Sequence, residues 1–211
     1  TDLSFWGGGI FASADYKSPG GKLNASAGLR TDASSFSANT ASFWKQFSPR
    51  ASLSYLPWEN WSFNASAGFY HQLPPVTALS FRNTEGNLAN MDLDYMRVIS
   101  AAVGADWRFR DRLFIGLECF YKQFLDIPLS LETGVPLTCT GADYGSIGEE
   151  ILVSSSRGRA YGAELLVRWL IPDRLSLVGS ATIYKSEYRA DSGSEYIPSA
   201  WDNRFIINLS G

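Results

Sequence analysis

The chain has little of what catalytic and nucleotide-binding proteins are built from. Its 211 residues hold one histidine, His71, and two cysteines, Cys119 and Cys139. Zinc clusters of several histidines are thereby excluded, and a disulfide framework is too. A Ser–His–Asp triad would have to use His71, and no G-x-S-x-G elbow is present to supply the serine. Neither GxxxxGK[ST] nor GxGxxG occurs, so no phosphate cradle is expected. No run approaches the roughly 18 consecutive apolar residues of a membrane helix. The N-terminal TDLSFWGGG lacks the basic, apolar, small-residue order of a signal peptide. Charge is also sparse: 18% of residues, with 18 Lys and Arg against 21 Asp and Glu, for a net −3. That balance gives no reason to expect nucleic acid as a partner. A fully wet surface would be poorly charged at this composition, which favours contact with lipid.

What the sequence does have is alternation. In the stretch NWSFNASAGFY, Trp61, Phe63, Ala65, Ala67 and Phe69 oppose Ser62, Asn64, Ser66, Gly68 and Tyr70. Helical periodicity is nearly absent, and about nine segments repeat with period two, so the expected fold is all-β. Clear examples are Lys22 to Arg30, Ile99 to Arg110 and Tyr161 to Trp169. Segments near Ile10 to Tyr16, Ala51 to Leu56, Leu113 to Phe124, Leu175 to Tyr184 and Phe205 to Leu209 follow the rule less cleanly. Gly7, Gly8 and Gly9 read as a strand irregularity. Cys119 falls on the apolar face by parity, which fits an unpaired thiol.

Alternation alone suits any one-sided sheet, and the connections discriminate further. Short turns stand at Ser18 to Gly21, Pro57 to Asn60, Arg110 to Arg112 and Ile171 to Arg174. Long irregular stretches run from about Thr31 to Phe47, Gln72 to Leu93, Asp126 to Arg157 and Arg189 to Asn203. Every second connection is short, so all short ones share one end of the sheet. Short periplasmic turns and long extracellular loops are the pattern of an antiparallel up-and-down transmembrane β-barrel in the bacterial outer membrane. Tyr16, Trp58, Trp61, Trp107, Phe109 and Trp169 cluster beside the short turns, as an interfacial girdle requires. Phe69, Tyr70, Phe120 and Tyr121 suggest a second girdle at the opposite ends. An arginine moved to the middle of the apolar face should cost about 2–4 kcal/mol.

The first and ninth segments both run toward the short-turn side, and an odd strand count cannot close an up-and-down meander. The expectation is one partial barrel domain over residues 1–211, cut from a larger barrel. Arg97, Asp106, Arg108, Glu118, Lys122, Glu164 and Arg168 are expected to face the lumen, in salt bridges or contacts with a plug. Tyr70, His71 and Gln72 are expected to leave their strand at the long-loop end, where a ligand would be met. Asp92 and Asp94 in MDLDY, and DSGSE from Asp191 to Glu195, lack the full calcium-loop spacing and read as solvated acids, so no metal or cofactor is expected. The Asn-x-Ser matches at Asn24, Asn60, Asn64 and Asn208 fall in strands or tight turns and read as accidental.

Three blocks carry a family resemblance: Phe47 to Pro75, Gly158 to Tyr188 and Tyr196 to Gly211. Ser48, Pro49 and Arg50 resemble the family's "SPR" strand start, and Gly162 and Glu164 its inward-facing "GxE". Trp201, Asp202 and Arg204 resemble the "WDxRH" that opens a descending strand, with Phe205 where histidine is common. In this order they are similar to the barrel of TonB-dependent receptors, most like those of Bacteroidetes. The resemblance implies a barrel of about 22 strands with an N-terminal plug. It also implies import of an iron chelate, oligosaccharide or similar nutrient, driven through TonB. The partners it implies are outer-membrane lipid, a plug domain with the remaining strands, and TonB contacted through a region outside this chain; a surface lipoprotein is a further candidate. The plug and closing strands are absent from residues 1–211. The competing class is a soluble secreted β-sandwich that binds glycans or proteins, in which the same rings would form a packed core.

Overall fold

A computed structural model describes residues 3–139, 148–172 and 174–211. The interior of the long connection after Asp126, and Asp173 of the Ile171 to Arg174 turn, lie outside the described residues. The strands are β1 (Gly7–Lys17), β2 (Leu23–Ser34), β3 (Ser48–Trp58), β4 (Trp61–Gln72), β5 (Met96–Phe109), β6 (Leu113–Ser130), β7 (Leu152–Ile171), β8 (Leu175–Arg189), β9 (Ile197–Pro198) and β10 (Phe205–Ser210). All join one antiparallel sheet in the order β1-β2-β3-β4-β5-β6-β7-β8-β10, with the two-residue β9 paired to β8 beside this path. The nine-segment meander is thus present, plus one short strand. No second sheet packs on it among the described residues, so the sandwich arrangement is not formed.

The register explains why alternation was so readable. One cross-strand row joins Tyr55, Phe63, Ala105, Leu117, Leu165, Ala181 and Ile207, and the adjacent row joins Ser54, Asn64, Gly104, Glu118, Glu164 and Thr182. Side chains in successive rows project to opposite faces. The first face, called outer here, exposes Leu53, Phe63, Val103, Leu117, Leu165 and Ile183, at 40–70% of their surface. A contiguous apolar face of that extent needs a non-aqueous neighbour, which in an outer-membrane barrel is lipid. The other face, called inner, carries Ser, Asn, Gly and the charges of the mid-strand rows, whereas the outer face is charged only toward the long-loop end.

The aromatic ring beside the short turns is built by contact. Trp61 stacks on Phe63 at 6.0 Å and meets Trp107 at 6.5 Å, and Trp107 stacks on Phe109 at 5.8 Å. At the opposite ends the expectation needs correction. Phe69 and Tyr121 are on the outer face, but Tyr70 and Phe120 belong to inner rows, opposite Val98 and Ala102. Tyr121 stacks instead with Tyr161 across β6 and β7, ring centroids 6.4 Å apart.

Other boundaries differ for identifiable reasons. Gly7, Gly8 and Gly9 are no irregularity, because they pair in unbroken register with Ser34, Ala33 and Asp32. A Cβ on Gly9 would lie 2.2 Å from Asp32 Oδ1, which explains the missing side chain there. β6 and β7 reach well past Asp126 and Arg157, with Ile127, Pro128, Leu129 and Ser130 pairing to Ser156, Ser154, Val153 and Leu152. A bulge at Asp126, whose φ is +54°, breaks the period and hides this extension in the sequence.

Above the sheet the long connections pack on each other. Pro75 precedes the one α-helix among the described residues, α1 (Val76–Ser80), and Leu79 N–H donates to Pro75 O at 3.1 Å. Phe36, Ala78, Leu79, Leu93, Leu137 and Leu152 form a buried cluster drawn from three connections and the first residue of β7. Asn90, 1% exposed, ties it together. Its Nδ2 donates to Ala78 O (2.7 Å) and Glu150 O (3.0 Å), and its Oδ1 accepts from Leu152 N–H (2.9 Å). A buried amide with this many partners orders the loops it joins.

Candidate functional site

The inner face is a charged wall sorted by height, its charges lying in rows about 7 Å apart for every second residue along a strand. Nearest the short turns, Arg108, Phe114 and Arg168 are consecutive across β5, β6 and β7. Both guanidinium carbons lie near the Phe114 ring, at 5.6 and 5.4 Å, a spacing that suits cation–π attraction. One row up, Asp106 accepts from Ser62 Oγ at 3.1 Å and from Asn64 Nδ2 at 3.0 Å. Its charge is therefore held by neutral donors. Next come Glu118 and Glu164, directly opposite each other. Two rows higher, one row runs from Gly28 through Arg50, Gly68, Ser100 and Lys122 to Ala160.

Glycines on this wall mark close approaches. A Cβ on Gly162 would sit 2.3 Å from Ile183 O and 2.6 Å from Tyr184 Cβ. The glycine two residues before Glu164 thus lets β7 and β8 approach where Tyr184 packs. Arg50 likewise lies across two glycines, 3.0 Å from where Gly28 and Gly68 would carry Cβ atoms. Arg50 was missing from the inward charges read from the sequence, although its alternation with Ser52 and Ser54 gave the signal. A shallow depression of about 460 Å³ lies beside it, lined by Asp15, Lys17, Asn24, Ser26, Ser52, Ser66 and Glu118 among others.

Arg97 does not belong with these charges. It pairs with His71 and Leu125, in the row beyond Phe69 and Ile99, so its parity is that of the outer face. It forms an ion pair with Asp126. Tyr70, His71 and Gln72 also stay inside β4, paired to Val98, Arg97 and Met96, so they do not leave the strand as expected. Tyr70 and Gln72 share the inner parity while His71 has the other, and the three do not converge on one point. His71 Nδ1 lies 2.8 Å from Ser48 Oγ. A pocket of about 330 Å³ there is lined by Lys45, Gln46, His71, Asp94, Tyr95, Arg97 and Asp126.

The Trp201 to Arg204 segment is a clasp on β8. Asp202 Oδ1 accepts from Ser186 N–H at 3.0 Å, Tyr184 Oη donates to Trp201 O at 2.6 Å, and Tyr184 N–H donates to Arg204 O at 2.8 Å. Trp201 Nε1 donates to Thr138 O at 3.0 Å, which joins this connection to the one between β6 and β7. Arg204 has a φ of +61°, so the chain turns sharply before β10. Cys119 and Cys139 are both free, the first exposed on the outer face and the second half-buried in the long loops. The described residues hold no cluster of three or more His, Cys, Asp and Glu that suits a metal.

Comparison with known proteins agrees with this architecture. The family model "TonB dependent receptor-like, beta-barrel" matches residues 1–208. No curated protein sequence matches the chain. Among solved structures, the ferric-catecholate import receptor Fiu of E. coli K12 superposes with a TM-score of 0.66 at 14% identity, over 97% of this chain and 31% of that one. The FrpB iron transporter of Neisseria meningitidis gives 0.63 at 14% identity, over 95% and 30%. The alcaligin outer-membrane receptor FauA of Bordetella pertussis gives 0.59 at 15% identity, over 97% and 33%. The chain spans about a third of each of these proteins, and such identities speak to fold alone. With the match running over nearly its full length and an antiparallel meander with one apolar face to fit it, this chain belongs to the TonB-dependent receptor-like β-barrel family of the outer membrane.

Proposed function

We propose that the chain is part of the barrel wall of a receptor that imports a nutrient across the outer membrane with energy delivered through TonB. An iron chelate is the leading substrate class, because the similar structures are named as an iron transporter, an alcaligin receptor and a ferric-catecholate import receptor. An oligosaccharide or similar solute is the next. The observation that carries the reading is the division of the sheet into an apolar outer face and an inner face of small polar and charged side chains.

Such an inner wall suits a plug that must be held yet displaced. Asp106, Arg108, Glu118, Lys122, Glu164 and Arg168 offer charges of both signs, and no ion pair among the described residues uses them. A plug domain meeting this wall could answer Glu118 and Glu164 with cations and Lys122 with acids. Substrate would enter from the long-loop end, past Tyr70 and Gln72. A surface lipoprotein capping the loops is a further partner in this reading. Uptake of labelled ferric chelates and labelled oligosaccharides by cells expressing the full-length receptor tests it. Accumulation should require both the receptor and a functional TonB, and TonB-independent uptake would overturn the reading.

A further inference from the structure

The sheet is notched at its long-loop edge. β2 runs up to Ser34 and β4 to Gln72, but β3 begins only at Ser48, opposite Arg30, and its pairing with β4 starts at Arg50 and Gly68. Lys45 and Gln46, which lead into β3, stand at this notch with His71 of β4 and with Asp94 and Tyr95, which lead into β5. Together they line the pocket of about 330 Å³, at the small end of the range for sites that hold one small molecule. Its walls are braced from behind: Gln46 Nε2 donates to Asn39 O at 3.3 Å, Asn39 Nδ2 donates to Asp92 O at 3.2 Å, and Asp94 N–H donates to Ser154 Oγ at 3.0 Å. Two long connections and the upper part of β7 thus hold it in shape.

The polar groups of this pocket are unevenly answered. Gln46 is 2% exposed, and its Oε1 is buried with no donor, a costly state for an acceptor. Arg97 and Asp126 answer each other, and Arg30 answers Asp32 nearby. Lys45 and Asp94 line the same pocket, yet neither forms an ion pair with the other or with any described residue. Ser48 Oγ has one hydrogen, which it gives to Gln46 O at 3.0 Å, so the 2.8 Å contact with His71 Nδ1 is donated by the imidazole. A neutral His71 then keeps Nε2 as a bare acceptor. Three acceptors, Gln46 Oε1, the Asp94 carboxylate and His71 Nε2, are thus left with one free ammonium, Lys45 Nζ, and the Tyr95 hydroxyl. The described acids and histidine form no metal cluster, so the cation that complements them is organic.

We infer that this pocket binds the zwitterionic head of an α-amino acid, its ammonium on Asp94 and Gln46 and its carboxylate on Lys45. A primary ammonium carries three donors and no acceptor, which matches three acceptors left unmet. The carboxylate takes Lys45 Nζ and the Tyr95 hydroxyl, and hydrogen bonds with an ionised partner are the stronger kind. Neutral sugar hydroxyls would satisfy Gln46 Oε1 but leave both Lys45 and Asp94 without a counter-charge. A simple anion would answer Lys45 and leave Asp94 and Gln46 unmet. The inference goes beyond the transport reading and does not depend on which nutrient crosses the barrel.

The test uses the full-length receptor in detergent micelles and equilibrium dialysis with radiolabelled glycine as the probe. Glycine should bind saturably, and its methyl ester and its N-acetyl derivative, each lacking one of the two charges, should bind roughly tenfold more weakly. Asp94→Asn should weaken glycine and the methyl ester alike, roughly tenfold, whereas Lys45→Gln should weaken glycine by a similar factor and leave the methyl ester unchanged. Lys22→Gln, beside the Ser18 to Gly21 turn at the other end of the sheet, should leave all three ligands unchanged. Equal binding of glycine and both derivatives by the wild type overturns the inference without reliance on any variant. So does the absence of saturable binding, which would leave the pocket to water. Phosphoethanolamine held more tightly than glycine overturns the amino-acid assignment in favour of a lipid headgroup, and displacement of glycine by glucose overturns it in favour of a sugar. TonB-dependent uptake is read separately, so failure of the transport reading remains distinguishable.

Discussion

Glu118 and Glu164 face each other directly across β6 and β7 on the inner wall, and no described cation is paired with either. Opposed like charges in a sheet cost up to about 1 kcal/mol, and less where water screens them. Natural sheets avoid the arrangement unless something else meets it, so under the proposed function these two carboxylates are the first residues to test as plug contacts. Glu118→Gln with Glu164→Gln should raise the urea midpoint of a plugless barrel slightly. In the full-length receptor the same pair should increase amide exchange in the plug. A plug whose exchange is unchanged would remove these residues from its interface.

Gly162 is constrained by packing, since its neighbours leave no space for a side chain. A Cβ placed 2.3 Å from Ile183 O would have to push β7 away from β8. Overpacking of this kind costs about 1–3 kcal/mol. Gly162→Ala should therefore lower the yield of folded barrel, read as the heat-modifiable band on a gel after refolding into detergent. Gly20→Ala, with no heavy atom within 4 Å, is the control and should refold like the wild type.

These two sites also show what the sequence could and could not disclose. The inward parity of Gly162 and Glu164 was legible because alternation in β7 from Arg157 to Trp169 is unbroken, and the same holds for Asp106, Arg108, Glu118, Lys122 and Arg168. For Arg97 charge and parity disagree: its charge points to the lumen, but it stands two residues before Ile99 on the outer face, where Asp126 pairs with it. The extension of β6 past Asp126 was hidden because one residue in the left-handed region shifts the period, so the following side chains exchange faces. The packing of the long connections had no periodic signal at all, since it depends on contacts between residues far apart in the chain.

Asn90 is the clearest of those contacts. Replacing it with alanine would strand Ala78 O, Glu150 O and Leu152 N–H in a buried setting. Each unsatisfied buried group costs on the order of 1–3 kcal/mol, although relaxation and water entry recover part of it. The loss should be local, because the barrel strands are paired independently of the loops. Asn90→Ala should therefore speed proteolysis within residues 81–95 several-fold while leaving heat-modifiable migration intact. Loss of the folded band would show instead that the loop cluster supports the sheet.

Cys139 offers a readout of the same loops by pH. Burial pushes its thiol pKa up, with the Thr138 hydroxyl opposing weakly. Alkylation proceeds through the thiolate, so the folded protein should react slowly near neutrality, and its rate should continue to climb above about pH 9, where the unfolded chain levels off. Because the folded pKa is the higher one, the thiol's contribution to loop stability is complete below the unfolded pKa and is lost as pH rises through the folded value. Trp201 Nε1 holds Thr138 O at 3.0 Å, so Trp201→Phe should free the segment and bring the rate profile of Cys139 toward that of the unfolded chain. Iodoacetamide labelling between pH 7 and 10.5, followed by mass spectrometry of the Cys139 peptide, measures both profiles. Coincident profiles for the folded wild type and the unfolded chain would show that the thiol is not shielded and that the clasp from Trp201 does not close the loops.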